Sequence, residues 1–222
     1  MGKVLIIDDH PLICEQYTKA LREVMIQDQQ LNMKIETAGD CDMAKEKIKN
    51  NWTKGGWDLV FLDIRLPPSK DRRILSGEDL GEMIRQHHPL AKIIVATTFN
   101  DNYRIQNIFK SLDPEGFLIK NDIDTPELME AILKIMKGGV YYRSTVAILL
   151  RKQMFTDINI DKIDRKILYE LSVGTKMKDL PNFVPLSIAG IEKRKRILKQ
   201  IFDVEDQGDK ALILKARELG FI

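Results

Sequence analysis

The first two thirds of the sequence predict a doubly wound α/β fold with a five-stranded parallel sheet, and the last third predicts a small all-α domain. Five short apolar runs occur between residues 4 and 120, and stretches with apolar residues at helical spacing separate them. Near-continuous apolar strands joined by helical crossovers are typical of a parallel sheet covered on both faces. The last 64 residues contain helix patterns and no strand pattern, which predicts the second domain.

The composition is typical of a folded protein of two domains. The 222 residues exceed the usual domain size of roughly 100–150 residues. A hydrophobic fraction of 44% and a charged fraction of 31% exclude a disordered or fibrous chain. No apolar stretch approaches the roughly 18 residues of a membrane span, and the apolar run near the N-terminus is too short for a signal peptide, so we expect a cytoplasmic protein without membrane contact. Cys14 and Cys41 lack the spacing of a zinc site or a disulfide framework.

The predicted strands and helices alternate along the chain. The strands are Val4–Asp8, Met33–Ala38, Leu59–Ile64, Ile93–Thr97 and Phe117–Lys120. The helices cover residues 12–24, Met43–Ile48, Leu80–Arg85, Asn102–Phe109 and Pro126–Met136. The sheet is expected to end near Gly138–Gly139, which gives a first domain over residues 1–139, a helical linker over residues 140–158 and a second domain over residues 159–222.

Polar residues follow the apolar runs where each predicted strand ends. They are Asp8 and Asp9 after the first strand, Asp63 in the third, Thr97 in the fourth and Lys120 in the fifth. Ligand sites of such sheets lie beyond the carboxyl ends of the strands, so these side chains are expected to converge. Hard oxygen ligands of this kind suit Mg²⁺. The alternative, that strand-end aspartates only cap helices, is strongest for Asp9, which precedes a His-Pro pair.

Four blocks of sequence resemble the receiver domain of two-component response regulators. The blocks are Val4–Pro11, Val60–Pro67, Val95–Asp101 and Gly116–Lys120. Their order and spacing cover the first 140 residues and together are highly specific. The resemblance implies a flavodoxin-like receiver fold that accepts a phosphoryl group and has no enzymatic turnover beyond slow self-phosphorylation and self-dephosphorylation.

The resemblance also implies a role for each residue at the sheet edge. Asp63 would attack the phosphohistidine of a sensor histidine kinase, and Lys120 would neutralise an oxygen of the transferred group. Thr97 would hydrogen-bond the phosphoryl group and act as a switch together with Phe117, for which plain core packing is the competing interpretation. The Mg²⁺ ligands would be Asp8, Asp9, Asp63 and the backbone carbonyl of Arg65.

The segment Pro68–Ser76 departs from the receiver pattern because it lengthens the loop before Gly77. It carries three cations, Lys70, Arg72 and Arg73, close in sequence to the predicted phosphoacceptor. These cations could contact a kinase or the phosphoryl group. A charged run in a loop is more often simply solvated, and the sequence favours that interpretation.

The C-terminal segment carries a set of residues at characteristic spacing: Gly174, Ser187, Ile191, Leu198, Phe202 and Val204. On these residues it resembles the helix-turn-helix domain of the NarL/LuxR family. Leu186–Leu198 would form the turn and the recognition helix, and its basic run Lys193–Arg196 concentrates the positive charge of this domain. Asp179-Leu180-Pro181 replaces the family's usual Glu-Ile-Ala in the scaffold helix, so the helix before the turn is expected to be shortened or bent. Glu192 stands where lysine is common. The residues predicted to contact DNA are Ser187, Lys193, Arg194, Arg196 and Lys199, with Lys193 and Arg196 as base readers and the flanking cations at phosphates.

Two functions from different classes follow from these resemblances. The first is a transcription factor that is phosphorylated on Asp63, forms a homodimer and binds double-stranded DNA. The second is a phosphorylation-controlled protein-interaction module with a degenerate helix-turn-helix, which Pro181 and Glu192 keep open. A haloacid-type phosphatase fits less well, because Ile64-Arg65 follows Asp63 and no second acid/base aspartate does.

Overall fold

The computed structural model describes residues 1–98, 102–120, 124–144, 146–148, 160–219 and 221–222. The chain divides into two compact units: residues 1–100 with 108–151, and residues 101–107 with 152–222. Most of the predicted helical linker, residues 149–158, lies outside the described residues. In the part of the chain that the structure describes, no helix is both long enough and apolar enough to cross a membrane.

The first unit is built on one parallel sheet in the order β2-β1-β3-β4-β5-β6. The strands are β1 (Gly2–Ile7), β2 (Met33–Ala38), β3 (Leu59–Asp63), β4 (Lys92–Thr97), β5 (Gly116–Ile119) and β6 (Tyr141–Tyr142). Every residue of β3 is buried, as expected for a central strand covered on both faces. The predicted doubly wound parallel α/β class is confirmed.

Among the described residues, five helices connect successive strands of the sheet. They are α1 (Pro11–Gln27), α2 (Cys41–Asn50), α3 (Gly77–His87), α4 (Asn102–Leu112) and α5 (Thr125–Met136), and a 3₁₀ helix (Trp52–Lys54) follows α2. On one face of the sheet, α1 and α5 pack together over a core that includes Val4, Ile6, Phe61 and Ile94. The intervening strand residues point to the other face. There α2 packs against α3.

The sheet has six strands, one more than the sequence predicts. Gly138 adopts a φ of 88°, a left-handed conformation that glycine tolerates, and the chain then turns back so that Tyr141–Tyr142 pairs in parallel with Gly116–Phe117. The hydroxyl of Tyr142 donates to the carbonyl of Pro114 at 2.6 Å. The prediction that the sheet ends near Gly138–Gly139 is therefore wrong, because tertiary contacts hold a strand too short to show a sequence pattern.

The second unit is helical in its described C-terminal part. Its elements are α6 (Lys162–Ser172), a 3₁₀ helix (Met177–Asn182), α7 (Ile188–Ile201) and α8 (Asp209–Glu218). Asp161 caps α6 through a capping box with Asp164, and the Ser187 hydroxyl caps α7 by accepting from the Gly190 amide at 3.3 Å. Pro181 lies inside the 3₁₀ helix. The segment before α7 is thus a short 3₁₀ turn, consistent with the shortened scaffold helix that Pro181 predicts.

Two apolar clusters hold these helices together. Leu168 of α6, Leu198 of α7 and Leu212 of α8 meet in the larger cluster. Ile167 of α6 and Ile191 of α7 meet in the smaller one, which also includes Leu180, Val184 and partly buried neighbours. The apolar residues at helical spacing therefore form the core of these helices. The opposite face of α7 is exposed to solvent.

Candidate functional site

Parallel strand order brings the predicted acidic residues to one edge of the sheet. β1 and β3 are neighbours, so Asp8 and Asp63 both lie at the carboxyl ends of adjacent strands. β4 lies beside β3 and β5 beside β4, which adds Thr97 and Lys120 to the same edge. The backbone amide of Lys120 donates to the Thr97 carbonyl at 2.9 Å. The sequence-predicted convergence of these residues is present in the structure.

Lys120 bridges the two buried carboxylates of the site. Its Nζ lies 2.6 Å from Asp63 Oδ2 and 2.6 Å from Asp8 Oδ2. The side chains of Lys120, Asp63 and Asp8 are 5%, 2% and 1% exposed, so solvent does little to neutralise their charges. The second oxygen of Asp63, Oδ1, accepts from the Arg65 amide at 2.9 Å. The site thus holds Asp63 in a fixed orientation beside a cation.

Burial and the ion pairs act on the titration of the site in opposite directions. Burial raises the pKa of Asp63 above its ordinary value, and the hydrogen bond and charge of Lys120 oppose that shift. Burial alone would lower the pKa of Lys120, but its contacts with Asp63 and Asp8 outweigh burial and raise that pKa. The raised pKa keeps Lys120 positively charged, and this charge suits it to neutralise an anionic group at Asp63.

Three carboxylates and one imidazole form a cluster that could hold a metal ion. Asp8, Asp9, His10 and Asp63 each offer a ligand atom within 4.8 Å of the others. His10 Nδ1 lies 2.8 Å from Asp9 Oδ1, and the His10 amide donates to Asp8 Oδ1 at 3.0 Å. Carboxylate oxygens fit a hard divalent cation, whereas the imidazole is a poorer ligand for one. The sequence interpretation overlooked His10, although its position directly after Asp8-Asp9 was a usable signal.

The helix-capping alternative for Asp9 does not match the structure. The N-cap of α1 is His10, and no side chain forms a capping hydrogen bond there. Asp9 is exposed and turned toward the imidazole of His10. The ligand roles of Asp9 and of the Arg65 carbonyl stay predictions.

Thr97, at the carboxyl end of β4, and Phe117, in the first half of β5, are both fully buried. The ring of Phe117 stacks on Phe109 of α4 with centroids 5.3 Å apart, and Phe109 meets Tyr142 of β6 edge to face at 5.0 Å. These contacts account for the burial of Phe117 by packing. The switch role of Thr97 and Phe117 stays a prediction.

The basic run of α7 separates into exposed and ion-paired cations. Lys193 and Arg196 are exposed and, among the described residues, form no ion pair. Arg194 Nη1 instead lies 2.6 Å from Asp161 Oδ2 and 2.9 Å from Asp164 Oδ1, and this pairing raises its pKa. The other two cations of α7, Lys195 and Lys199, both contact Asp209 of α8.

This division separates the residues predicted to contact DNA into two groups. Ser187, the first residue of the predicted set, caps α7 through its hydroxyl. Arg194 and Lys199 carry intradomain contacts that a phosphate would have to share or displace. Lys193 and Arg196 are exposed and form no such contact with other described residues, so a ligand can reach them without displacing one.

A family model and several curated proteins match the chain. The model of the response regulator receiver domain matches residues 4–133. The transcriptional regulatory protein RcsB of Escherichia coli strain K12 is 25% identical over 206 residues, which cover 91% of this chain and 89% of RcsB. The transcriptional regulatory protein MctR of Rhizobium johnstonii is 25% identical over 200 residues, covering 89% of this chain and 86% of MctR.

Solved structures of one relative share the fold. RcsB from Salmonella enterica serovar Typhimurium, bound to the promoter rprA in the presence of the phosphomimetic BeF3⁻, aligns with a TM-score of 0.66 at 22% identity, over 96% of this chain and 97% of that chain. The same protein bound to promoter P1flhDC aligns with a TM-score of 0.57 at 25% identity over the same shares of each chain. Because the receiver model spans more than half of the 222 residues, the chain belongs to the response regulator receiver domain family.

Proposed function

We propose that this chain is a cytoplasmic transcriptional response regulator, which accepts a phosphoryl group from a sensor histidine kinase on Asp63 and binds double-stranded DNA through α7. The observation that carries the proposal is the extent of the similarity. Relatives named as transcriptional regulators match about nine tenths of the chain, through both units and not only through the receiver. Lys193 and Arg196 are exposed on α7, where the phosphates and bases of DNA could reach them.

The proposed chemistry of the first unit is phosphoryl transfer between two proteins. An oxygen of Asp63 forms a bond to phosphorus as the phosphorus–nitrogen bond of the donor phosphohistidine breaks, and the imidazole leaves with the bonding electron pair. Such transfer depends mainly on positioning and on neutralising charge. Lys120, whose Nζ lies 2.6 Å from Asp63 Oδ2, is proposed to neutralise a phosphoryl oxygen, and Thr97 is proposed to hydrogen-bond another. The protein has no further turnover than slow phosphorylation and dephosphorylation of itself.

Asp8, Asp9 and Asp63 are proposed to hold Mg²⁺, with the Arg65 carbonyl as a further ligand. Their oxygen donors fit this cation, which keeps several waters and uses few protein ligands. When bound, Mg²⁺ supplies positive charge that offsets the charge of the phosphoryl group. Asp8 and Lys120 already touch, so the residues that meet the metal and the phosphoryl group form one connected network.

Phosphorylated chains are proposed to pair, so that two copies of α7 reach two half-sites on one DNA region. Dimers of RcsB on DNA appear among the related solved structures. In this arrangement Lys193 and Arg196 face base edges, with Ser187, Arg194 and Lys199 near phosphates.

A titration of genomic DNA fragments separates this proposal from the interaction-module alternative. We expect the phosphorylated chain to retain a subset of fragments, with an affinity that falls linearly on a plot of log affinity against log salt, because phosphate neutralisation releases counterions. Binding is measured by fluorescence anisotropy at several salt concentrations. Absence of saturable binding to any fragment at low salt would favour the interaction module.

Gly77, the first residue of α3, closely approaches the backbone of Asp63 and provides a further test of the site. A Cβ at this position would lie 1.8 Å from the carbonyl oxygen of Asp63, so the backbone at the end of β3 would have to move. We expect Gly77→Ala to lower the free energy of unfolding by at least about 2 kcal/mol. Phosphorylation of Asp63 should also slow.

The control for this variant is Gly39→Ala in the neighbouring β2–α2 loop. A Cβ there would come no closer than 4.0 Å to the Asp8 carbonyl, so the change should cost little stability. Urea denaturation of both variants measures the difference. Equal stability of the two variants would show that the approach of Gly77 to Asp63 is not required by the fold.

A further inference from the structure

The loop Pro68–Ser76 is held together by hydrogen bonds between its own residues. Ser69 is 2% exposed; its amide donates to the Ile74 carbonyl at 2.8 Å, and its hydroxyl accepts from the Ile74 amide at 3.1 Å. Ile74 is 3% exposed. The Arg72 amide donates to the Ser69 carbonyl at 2.8 Å. A buried serine and a buried isoleucine thus close the loop on itself.

The loop is also fixed to the elements on either side. Lys45 of α2 pairs with Asp71 at 2.9 Å, and the Lys70 amide donates to Asp42 in the first turn of α2 at 3.1 Å. On the other side, the Leu75 amide donates to Asp79 in the first turn of α3 at 2.7 Å. The loop therefore lies between the N-terminal turns of α2 and α3. Both turns follow the carboxyl ends of strands, so they are at the sheet edge that holds Asp63.

Charge is distributed unevenly over this loop. The carboxylate of Asp71 is bonded within the loop, where it accepts from the Ser69 hydroxyl at 2.7 Å and from the Arg73 amide at 3.0 Å. These two hydrogen bonds and the one from Lys45 lower the pKa of Asp71. The cations of the loop point outward. Lys70 is exposed. The side chain of Arg73 is 84% exposed, although its Nε lies 4.0 Å from Asp71 Oδ2. A fixed loop with two solvent-facing cations therefore lies at the sheet edge that holds Asp63.

We propose that Lys70 and Arg73 form a docking surface for an acidic region next to the phosphorylated histidine of the donor protein. This inference rests on the proposed function, because it concerns the partner that phosphorylates Asp63. A fixed surface loses less conformational entropy on binding than a mobile loop does. Two outward cations beside the acceptor attract an acidic partner and raise the rate of encounter. A small phosphodonor needs no such surface.

The test compares protein and small-molecule donors on two charge-reversal variants. Lys70→Glu/Arg73→Glu removes the surface. Lys49→Glu/Lys137→Glu makes the same change in net charge at two exposed lysines near the C-terminal ends of α2 and α5, away from the acceptor edge. The small donor is phosphoramidate. The protein donor is the autophosphorylated sensor kinase of the same organism that phosphorylates the wild type fastest. Thermal melting checks that both variants fold.

We expect the loop variant to take phosphoryl groups from the kinase at least about 10-fold more slowly than the control variant at low salt, with the gap shrinking as salt is added. Uptake from phosphoramidate should be equal in both variants. Equal rates from the kinase would overturn the proposal, as would an equal loss with both donors, which would place the loop's effect in the acceptor site itself. Failure of every kinase to phosphorylate the wild type would also overturn it. Failure of the proposed function is distinguishable, because the wild type would then take no phosphoryl group from phosphoramidate either.

Discussion

Replacing Asp63 with alanine is expected to abolish phosphorylation of the chain by phosphoramidate in the presence of Mg²⁺, a loss of at least about 10³-fold in rate because the nucleophile is gone. Asp63 combines burial, a contact with Lys120 at 2.6 Å and an amide donor from Arg65. A phosphate-affinity gel measures the phosphorylated fraction over time.

The matched control is Asp58→Ala. Asp58 is an exposed residue just before β3, at the opposite end of the same strand, where one of its oxygens accepts from the Lys3 amide at 2.7 Å. This variant should be phosphorylated like the wild type. Asp8 also contacts Lys120, so it is the alternative acceptor at this edge. Persistent phosphorylation of Asp63→Ala would point to Asp8 and contradict the assignment.

The double substitution Lys193→Ala/Arg196→Ala is expected to weaken binding to the preferred DNA fragment by about 10²-fold or more, since each base contact contributes roughly 1–3 kcal/mol. Both side chains are exposed and lie on the face of α7 opposite its buried Ile191 and Leu198. Their removal should leave the melting temperature of the domain unchanged. Anisotropy titrations on the preferred fragment and on a scrambled fragment measure the loss of discrimination.

The control removes the same charges from α8. Lys210→Ala/Arg217→Ala changes one exposed lysine and one exposed arginine in the same unit. If both double variants lose affinity equally, α7 contributes only net charge and does not read the sequence. If neither double variant loses affinity, the proposal that this face of α7 binds DNA is wrong.

Arg194 shows where inference from sequence ends. The sequence shows a run of four cations, and nothing local separates those that face solvent from those that are paired. The structure pairs Arg194 with Asp161 and Asp164, which precede it by 33 and 30 residues. Such partners depend on how α6 and α7 pack, so charge patterning within one helix could not reveal them.

The acidic site was predictable for a physical reason. Strand period and parallel order together place every strand-end residue at one edge, and this places Asp8, Asp63 and Lys120 together without any knowledge of side-chain packing. β6 was not predictable in this way. Two residues cannot show a periodic pattern, and the strand is held by contacts of Tyr141 and Arg143 with Glu127 and of Tyr142 with Pro114. The bracing of the 68–76 loop by Ser69 was equally hidden, because a buried serine and an exposed one look alike in sequence.

The claim that phosphorylation of Asp63 controls DNA binding is tested most directly by the affinity of the full chain for its preferred DNA fragment. This affinity is measured with and without phosphoramidate, in the wild type and in Asp63→Ala. Phosphorylation should tighten binding by the wild type and leave the variant unchanged, because the variant cannot carry the group that drives pairing of two chains. Equal affinities in the phosphorylated and unphosphorylated wild type, or the same gain in Asp63→Ala, would contradict the claim that Asp63 controls DNA binding.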